Sequence, residues 1–233
     1  MTEDSKTKVI TVEIETAESG SANNATRIIS VQFGDSTSQE VYYADANEGR
    51  RSLFQVPIQI QTLLSQGYLF TGYGIKGLTM SSLQRFLSVT IPLGHVLDIK
   101  ESDAIRRLEQ KLNKAPIELG DACKEYGVLM EYERPILEKA DQLNHDRGLQ
   151  SQSKEEAQKL PSTSMSIEAT SESVLSRLAK QRAVLGFYQE FLEKGGSADT
   201  PYHRYVTGRV VCEYQLLSAL RRPPAALPAA TAR

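Results

Sequence analysis

Alternating apolar and polar residues characterise the first hundred positions and predict β-strands. Ile10, Val12 and Ile14 alternate with polar or charged neighbours, which is typical of a strand with one apolar face. Similar runs occur at 27–33 and 40–44, and turn-forming residues separate the runs. Because these connections are short, we expect the strands to form an antiparallel sheet.

The pattern then changes to a helix followed by another strand. Pro57 suits the first helical position and Gly67 suits the end of a helix, so we predict a short helix from about Pro57 to Gln66. A strand at 68–70 follows, which gives this part of the chain a β-α-β character. Thr79 is predicted to cap the next helix.

After residue 100 the apolar residues follow a seven-residue register that predicts packed helices. Its 3,4 spacing keeps one stripe facing a partner, with Glu133 as the mismatch. Pro116 is predicted to break the stripe and start a second helix. The stripe fits a coiled coil between chains as well as the core face of a bundle within one chain. Its candidate interaction residues are Ile105, Leu108, Leu112, Leu119, Tyr126, Leu129, Ile136 and Leu143.

These patterns predict an α+β protein with an antiparallel, β-rich N-terminal half and a helical C-terminal region. Residues 148–173 are polar and have little apolar surface to bury, so we predict a flexible linker there. Glycines after Lys194 and the Thr200-Pro201 pair divide the last region into a helical hairpin. The predicted parts are a β-rich domain (1–100), a central helical segment (101–147), the linker (148–173), the hairpin (174–221) and a flexible tail (222–233).

Composition and charge narrow the function classes. Hydrophobic residues make up 40% of the chain and charged residues 24%, as in ordinary globular proteins. The formal net charge of -2 provides no overall attraction to nucleic acid or anionic membrane. The N-terminus has no apolar signal segment and no apolar run is long enough to span a bilayer. We therefore expect a soluble cytoplasmic protein without a membrane span.

One glycine motif suggests a nucleotide site. Gly72, Gly74 and Gly77 form a G-x-G-x-x-G pattern between a predicted strand and a predicted helix. In dinucleotide-binding turns such glycines let the backbone approach pyrophosphate, and an acidic residue about 20 positions later holds the ribose. In such a site Lys76 would pair with the phosphate charge, and Asp98 would bind a ribose hydroxyl. The preferred interpretation is that these glycines serve turns and close packing, since short glycine motifs match freely by chance.

A second candidate is the basic C-terminal region. Arg204, Arg209, Arg221 and Arg222 lie among tyrosines, and arginine with aromatic residues can bind phosphates and stack bases. In the alternative interpretation the tyrosines pack the hairpin and the arginines remain solvated.

Catalytic and metal-binding patterns are weak. Cys123 and Cys212 fall in predicted helices without a histidine or acidic partner at a useful spacing, so we expect small buried hydrophobic side chains. Glu138, Asp141 and His145 share a helical spacing that is common on solvated faces, and we predict no metal site or cofactor.

The sequence therefore favours a non-enzymatic structural or adaptor protein. Its predicted role is assembly of a homo-oligomer or a larger complex, which includes a virion-type assembly. The alternatives are a nucleotide-binding enzyme that uses the Gly72–Gly77 loop and a nucleic-acid-binding adaptor that uses the basic C-terminal helix.

Overall fold

A computed structural model describes residues 7–18, 26–46, 50–155 and 165–221 of the 233-residue chain, with the backbone alone at 18, 146–155 and 165–178. The chain divides into two compact units. The first contains Met1–Met130 and Thr207–Arg233, and the second contains Glu131–Val206. The N-terminal half forms a sheet and the C-terminal half is helical, so the fold is α+β.

The first unit is built on a five-stranded mixed sheet. The strands are β1 (Val9–Glu18), β2 (Thr26–Gly34), β3 (Gln39–Tyr43), β4 (Leu69–Gly72) and β5 (Val96–Asp98), in the spatial order β3-β2-β1-β4-β5. The first three strands pair antiparallel, as expected. The prediction of a wholly antiparallel sheet is wrong, because β1 pairs with β4 in parallel and β4 pairs with β5 in parallel. A helical crossover precedes each of these two strands, as parallel pairing requires.

The described ranges contain seven α-helices. They are α1 (Val56–Ser65), α2 (Leu78–Leu87), α3 (Asp103–Leu112), α4 (Leu119–Glu125), α5 (Arg134–Glu155), α6 (Met165–Glu193) and α7 (Pro201–Leu220). None of them combines the length and the apolar character that crossing a bilayer requires.

The helix termini confirm most of the boundaries predicted from sequence. Pro57 occupies the first turn of α1, and α7 begins at Pro201. Helix α6 ends before Gly195, whose φ of 67° places it in the left-handed region that favours glycine. The predicted cap at Thr79 is wrong. Gly77 occupies the cap position of α2, and Thr79 lies buried in its first turn.

The seven-residue register is divided among the three helices α3, α4 and α5. Helix α3 ends at Leu112, and Asn113 follows in the left-handed conformation. The next helix begins at Leu119 instead of at Pro116, which lies in the connecting loop. The register residues also differ in burial, since Ile105, Leu108 and Ile136 are buried while Leu112 and Leu129 are exposed. An interchain role for this stripe stays a prediction.

The predicted linker overlaps two helices. Helix α5 continues to Glu155 and α6 begins at Met165, whereas residues 156–164 lie outside the described residues. The predicted tail at 222–233 also lies outside them.

The apolar core of the first unit lies against one face of the sheet. Alternate residues of β1 point into it, so the predicted apolar face of this strand is confirmed. Helices α1 and α2 cover this face with buried aliphatic side chains. The core includes Ile10, Val12 and Ile14 from β1, Val56, Ile60 and Leu63 from α1, and Leu83 from α2.

The second unit contains α5, α6 and the first residues of α7. Its core includes an aromatic cluster in which the ring centroids of Tyr188 and Tyr202 lie 4.9 Å apart and those of Phe191 and Tyr202 lie 5.6 Å apart. All three side chains are buried. An ion pair of 2.9 Å between Lys180 and Glu133 links α6 to the residue that precedes α5. Aromatic packing and this ion pair therefore hold the unit together.

Candidate functional site

The second face of the sheet is polar and yet buried. Thr11, Glu13 and Glu15 alternate with the apolar residues of β1, and Glu13 pairs in register with Gln32 while Glu15 pairs with Ser30. Thr71 on β4 lies beside Thr11. All six residues are buried. Polar side chains are rarely buried without partners, so this face is the first candidate for a functional site.

Helix α7 supplies a cation to this face. The Arg209 guanidinium lies 3.0 Å from the Glu13 carboxylate and 2.8 Å from the Glu15 carboxylate. Glu213 lies one turn further along α7, and its Oε1 is 3.7 Å from Arg209 Nε. We call Glu13, Glu15, Arg209 and Glu213 the carboxylate–arginine cluster. The cluster joins the first strand of the unit to its last helix.

The carboxyl groups of the cluster are electrostatically inequivalent. Burial raises the pKa of Glu213 well above 4.5, and the neighbouring Glu13 charge raises it further. Burial also raises the pKa of Glu13, while the Arg209 charge and a hydrogen bond from Glu213 oppose that change. Both directions favour the neutral carboxyl form, and more so at Glu213, where burial and the Glu13 charge act together. The guanidinium then balances the charges of Glu13 and Glu15 in part.

The glycine loop adds backbone donors beside this cluster. The Tyr73 N–H donates to Glu213 Oε2 at 3.1 Å. The next donors turn toward the end of β5, where the Gly74 N–H donates to Asp98 Oδ1 at 2.9 Å and the Lys76 N–H donates to Asp98 Oδ2 at 3.1 Å. Such successive N–H groups make an anion-binding turn. Here the acceptors are the side-chain carboxyl groups of Glu213 and Asp98.

The glycines of this loop have structural reasons of their own. A Cβ on Gly72 would lie 3.1 Å from the Val12 carbonyl oxygen and 3.2 Å from Glu13 Oε1. Gly74 has a φ of +79°, which favours glycine. Lys76 Nζ lies 2.5 Å from Glu101 Oε2. The residues predicted to bind nucleotide thus lie together, but the contacts described for them are to other residues of the chain.

The predicted arginine site is not gathered in one place. Arg209 belongs to the carboxylate–arginine cluster, and Arg221 is exposed just after α7. Arg204 belongs to the second unit and is exposed, with Asp199 at 4.0 Å. Arg222 lies outside the described residues. The Arg209 guanidinium is directed at carboxylates, which would compete with any nucleic-acid phosphate.

No group of three or more histidine, cysteine, aspartate or glutamate side chains is arranged to hold a metal ion in the part of the chain that the structure describes. Glu138, one of the residues in the predicted acidic and histidine spacing, lies 3.1 Å from Arg134 in an ion pair. Burial lowers the pKa of His203, which is half-buried in the second unit. The predicted burial of Cys123 and Cys212 is confirmed.

The sequence interpretation missed Glu13, Glu15 and Glu213. Two signals were available, since glutamates two apart on a strand share a face, and Arg209 and Glu213 share a helix face. In the folded chain Glu13 is 3% exposed and Glu213 is fully buried. Arg209 contacts Glu13 and Glu15 directly, so the cluster has the properties of a buried ionic network.

Comparison with known proteins does not identify the chain. No protein-family model matches it, and no curated protein sequence matches it significantly.

Proposed function

We propose that this chain is a non-enzymatic structural or adaptor protein that assembles into a homo-oligomer through an apolar surface at the start of α1. The observation that carries the proposal is the exposure of Phe54 and Ile58, which are 89% and 70% accessible. Adjacent exposed side chains of this size are typical of protein contact sites. We call Phe54 and Ile58 the α1 surface.

The two side chains lie on one side of the same helical segment. Phe54 belongs to a single 3-10 turn that leads directly into α1, and Ile58 follows four residues later. Residues at this spacing are neighbours on a helix. Val56 and Ile60 are buried in the sheet core. The beginning of α1 therefore has apolar residues toward the core and toward solvent, whereas a helix that only covers a core has a polar outer face.

Polar groups beside the α1 surface are already ordered. Gln59 Nε2 donates to Glu40 Oε2 at 2.9 Å, and Arg51 lies 2.7 Å from the other oxygen of the same carboxylate. Protein interfaces combine an apolar centre with a polar rim of this kind. Because these rim side chains are held in place before association, assembly loses less conformational freedom.

The carboxylate–arginine cluster supports a non-enzymatic role. Arg209 occupies the space between Glu13 and Glu15 and contacts both. The carboxylates that a hydrolytic site would direct at a substrate or a cation are instead bound to the last helix of the unit. The cluster connects parts of the fold, and the α1 surface provides the contact with another copy.

Nucleotide binding and nucleic-acid binding remain predictions. A phosphate in the glycine loop would have to replace Asp98 as the acceptor for Gly74 and Lys76. A nucleic-acid phosphate at Arg209 would have to replace Glu13 or Glu15.

Light scattering coupled to size exclusion tests the α1 surface. The full-length parent is compared with the double variant Phe54→Ser, Ile58→Ser and with the control Leu93→Ser. Leu93 is similarly exposed at 68%, but it precedes β5 at one edge of the sheet, whereas the Phe54 turn follows β3 at the other. We expect the parent and the control to share an oligomeric mass and the double variant to elute as a monomer. A double variant that keeps the parent mass would contradict the proposal, and circular dichroism of each variant checks that it is folded.

A further inference from the structure

Two thiols from distant parts of the sequence meet in the first unit. Cys123 on α4 and Cys212 on α7 are 89 residues apart, and their Sγ atoms are separated by 3.3 Å. The side chains are buried, with 0% and 2% of their surfaces exposed. Both are in the reduced form.

The two sulfurs are in non-bonded contact. A disulfide has an S–S distance of about 2.05 Å, so the sulfurs need to approach by roughly 1.2 Å. Rotation of two cysteine side chains supplies movements of this size. Helices α4 and α7 hold the two thiols in contact, whereas an unfolded chain would bring them together only rarely.

We propose that Cys123 and Cys212 are a site of oxidative modification and form a reversible intramolecular disulfide with a hydroperoxide as oxidant. The hydroperoxide first oxidises one thiol to a sulfenic acid and leaves as water or an alcohol. The second sulfur then attacks the sulfenic sulfur, the S–O bond breaks, and water leaves as the S–S bond forms. The two thiols lose two electrons and two protons in total, and the O–O bond of the hydroperoxide is reduced. A small dithiol restores both thiols by exchange.

The position of the pair gives the disulfide a structural effect. The bond would tie α4 to α7 and would enclose Glu131–Val206, the entire second unit, in one covalent loop. Cys212 directly precedes Glu213 and follows Arg209 by three residues. The same bond would therefore fix the helix segment that carries half of the carboxylate–arginine cluster. Since a cross-link of this loop length restricts the unfolded chain strongly, we expect the melting temperature to rise by about 10 °C.

The test uses full-length protein treated with hydrogen peroxide in the folded state and, in parallel, in urea. Remaining thiols are then alkylated, and non-reducing peptide mapping by mass spectrometry identifies the linked peptides. We expect folded protein to yield the Cys123–Cys212 linked peptide within one chain, in higher yield than unfolded protein because the second thiol lies beside the sulfenic acid, and to lose it after dithiothreitol. The Cys212→Ser variant should instead give a Cys123 sulfenic acid that dimedone traps.

Three results would overturn the proposal. The first is that both cysteines of the folded parent remain alkylatable after peroxide treatment. The second is that they form bonds between chains alone. The third is that unfolded protein gives the linked peptide within one chain in the same yield as folded protein. Peptide mapping of the parent decides each of these even if the serine variant fails to fold.

Discussion

Arg209 and Glu15 are 194 residues apart in the sequence and meet at 2.8 Å in the folded chain. The contact joins the last described helix to the first strand, and Glu13 lies 3.0 Å from the same guanidinium. Glu13 is 3% exposed and Glu15 is 9% exposed. Removing one partner from a buried ion pair leaves a charge without compensation, which costs far more than losing a surface pair.

Arg209→Ala should therefore destabilise the protein by about 3–5 kcal/mol. The matched control is Arg204→Ala, because Arg204 is on the same helix but its side chain is 70% exposed. The control should change stability by less than about 0.5 kcal/mol. Urea unfolding followed by circular dichroism measures both. Equal losses for the two variants would show that the cluster does not have the energetic role described for it.

Glutamine substitutions should distinguish the two buried carboxyl groups. Burial and the Glu13 charge favour the neutral form of Glu213, so Glu213→Gln keeps a neutral group of the same shape and should cost less than about 1 kcal/mol. Glu13→Gln removes a charge that faces Arg209 and should cost about 2–4 kcal/mol. The difference between the two unfolding free energies is the measurement. If Glu213→Gln loses more unfolding free energy than Glu13→Gln, Glu213 is not the neutral group of the pair.

The raised pKa values of Glu13 and Glu213 predict how stability depends on pH. The folded-state pKa values of Glu13 and Glu213 lie above the usual 4.5. Above pH 4.5 the folded state therefore binds more protons at these groups than the unfolded state does. Their contribution to stability is complete below 4.5 and declines as pH rises through the raised pKa values.

We expect the unfolding free energy of the parent to decrease relative to that of Glu213→Gln as pH rises above 4.5. The variant cannot titrate at this position, so it corrects for the other ionisable groups. Parallel pH profiles of the two proteins would contradict the assignment of a raised pKa to Glu213.

Gly72→Ala should be destabilising by about 1–3 kcal/mol. Its new Cβ would lie 3.1 Å from the Val12 carbonyl oxygen and 3.2 Å from Glu13 Oε1, and the backbone oxygen cannot move freely. Gly94→Ala is the control, because nothing lies within 4 Å of a Cβ at that position. Thermal unfolding of the pair measures the difference. If both substitutions are neutral, close packing is not the reason for a glycine at position 72.

Local pattern predicted the features that depend on neighbours in sequence. The alternation around Val12 identified the strand and its core face, and Pro57 identified the beginning of α1. Strand direction is a different kind of property. The residues of β4 are compatible with a parallel or an antiparallel partner. Its parallel pairing with β1 depends on the path of the chain between the two strands, which includes α1.

The local pattern shows which residues of the carboxylate–arginine cluster share a face of β1 or of α7. It does not show that these two faces contact each other. The polar residues of β1 have the pattern of a solvent-facing strand, yet they are buried in the folded chain, where Arg209 of α7 contacts Glu13 and Glu15. The seven-residue register predicted a break near Pro116 but not where the next helix begins, because α3 and α4 each have the same short apolar spacing.

The most direct test of the proposed assembly role is the mass of the full-length parent by light scattering over a wide concentration range, with the ultraviolet spectrum recorded at each point. The chain has ten tyrosines and no tryptophan, so a bound nucleotide or nucleic acid would alter that spectrum visibly. We predict a discrete oligomer of defined mass with the absorbance of tyrosine alone. A monomeric mass at every concentration would contradict the account, and a nucleotide band on that monomer would direct attention to the glycine loop or to the basic helix.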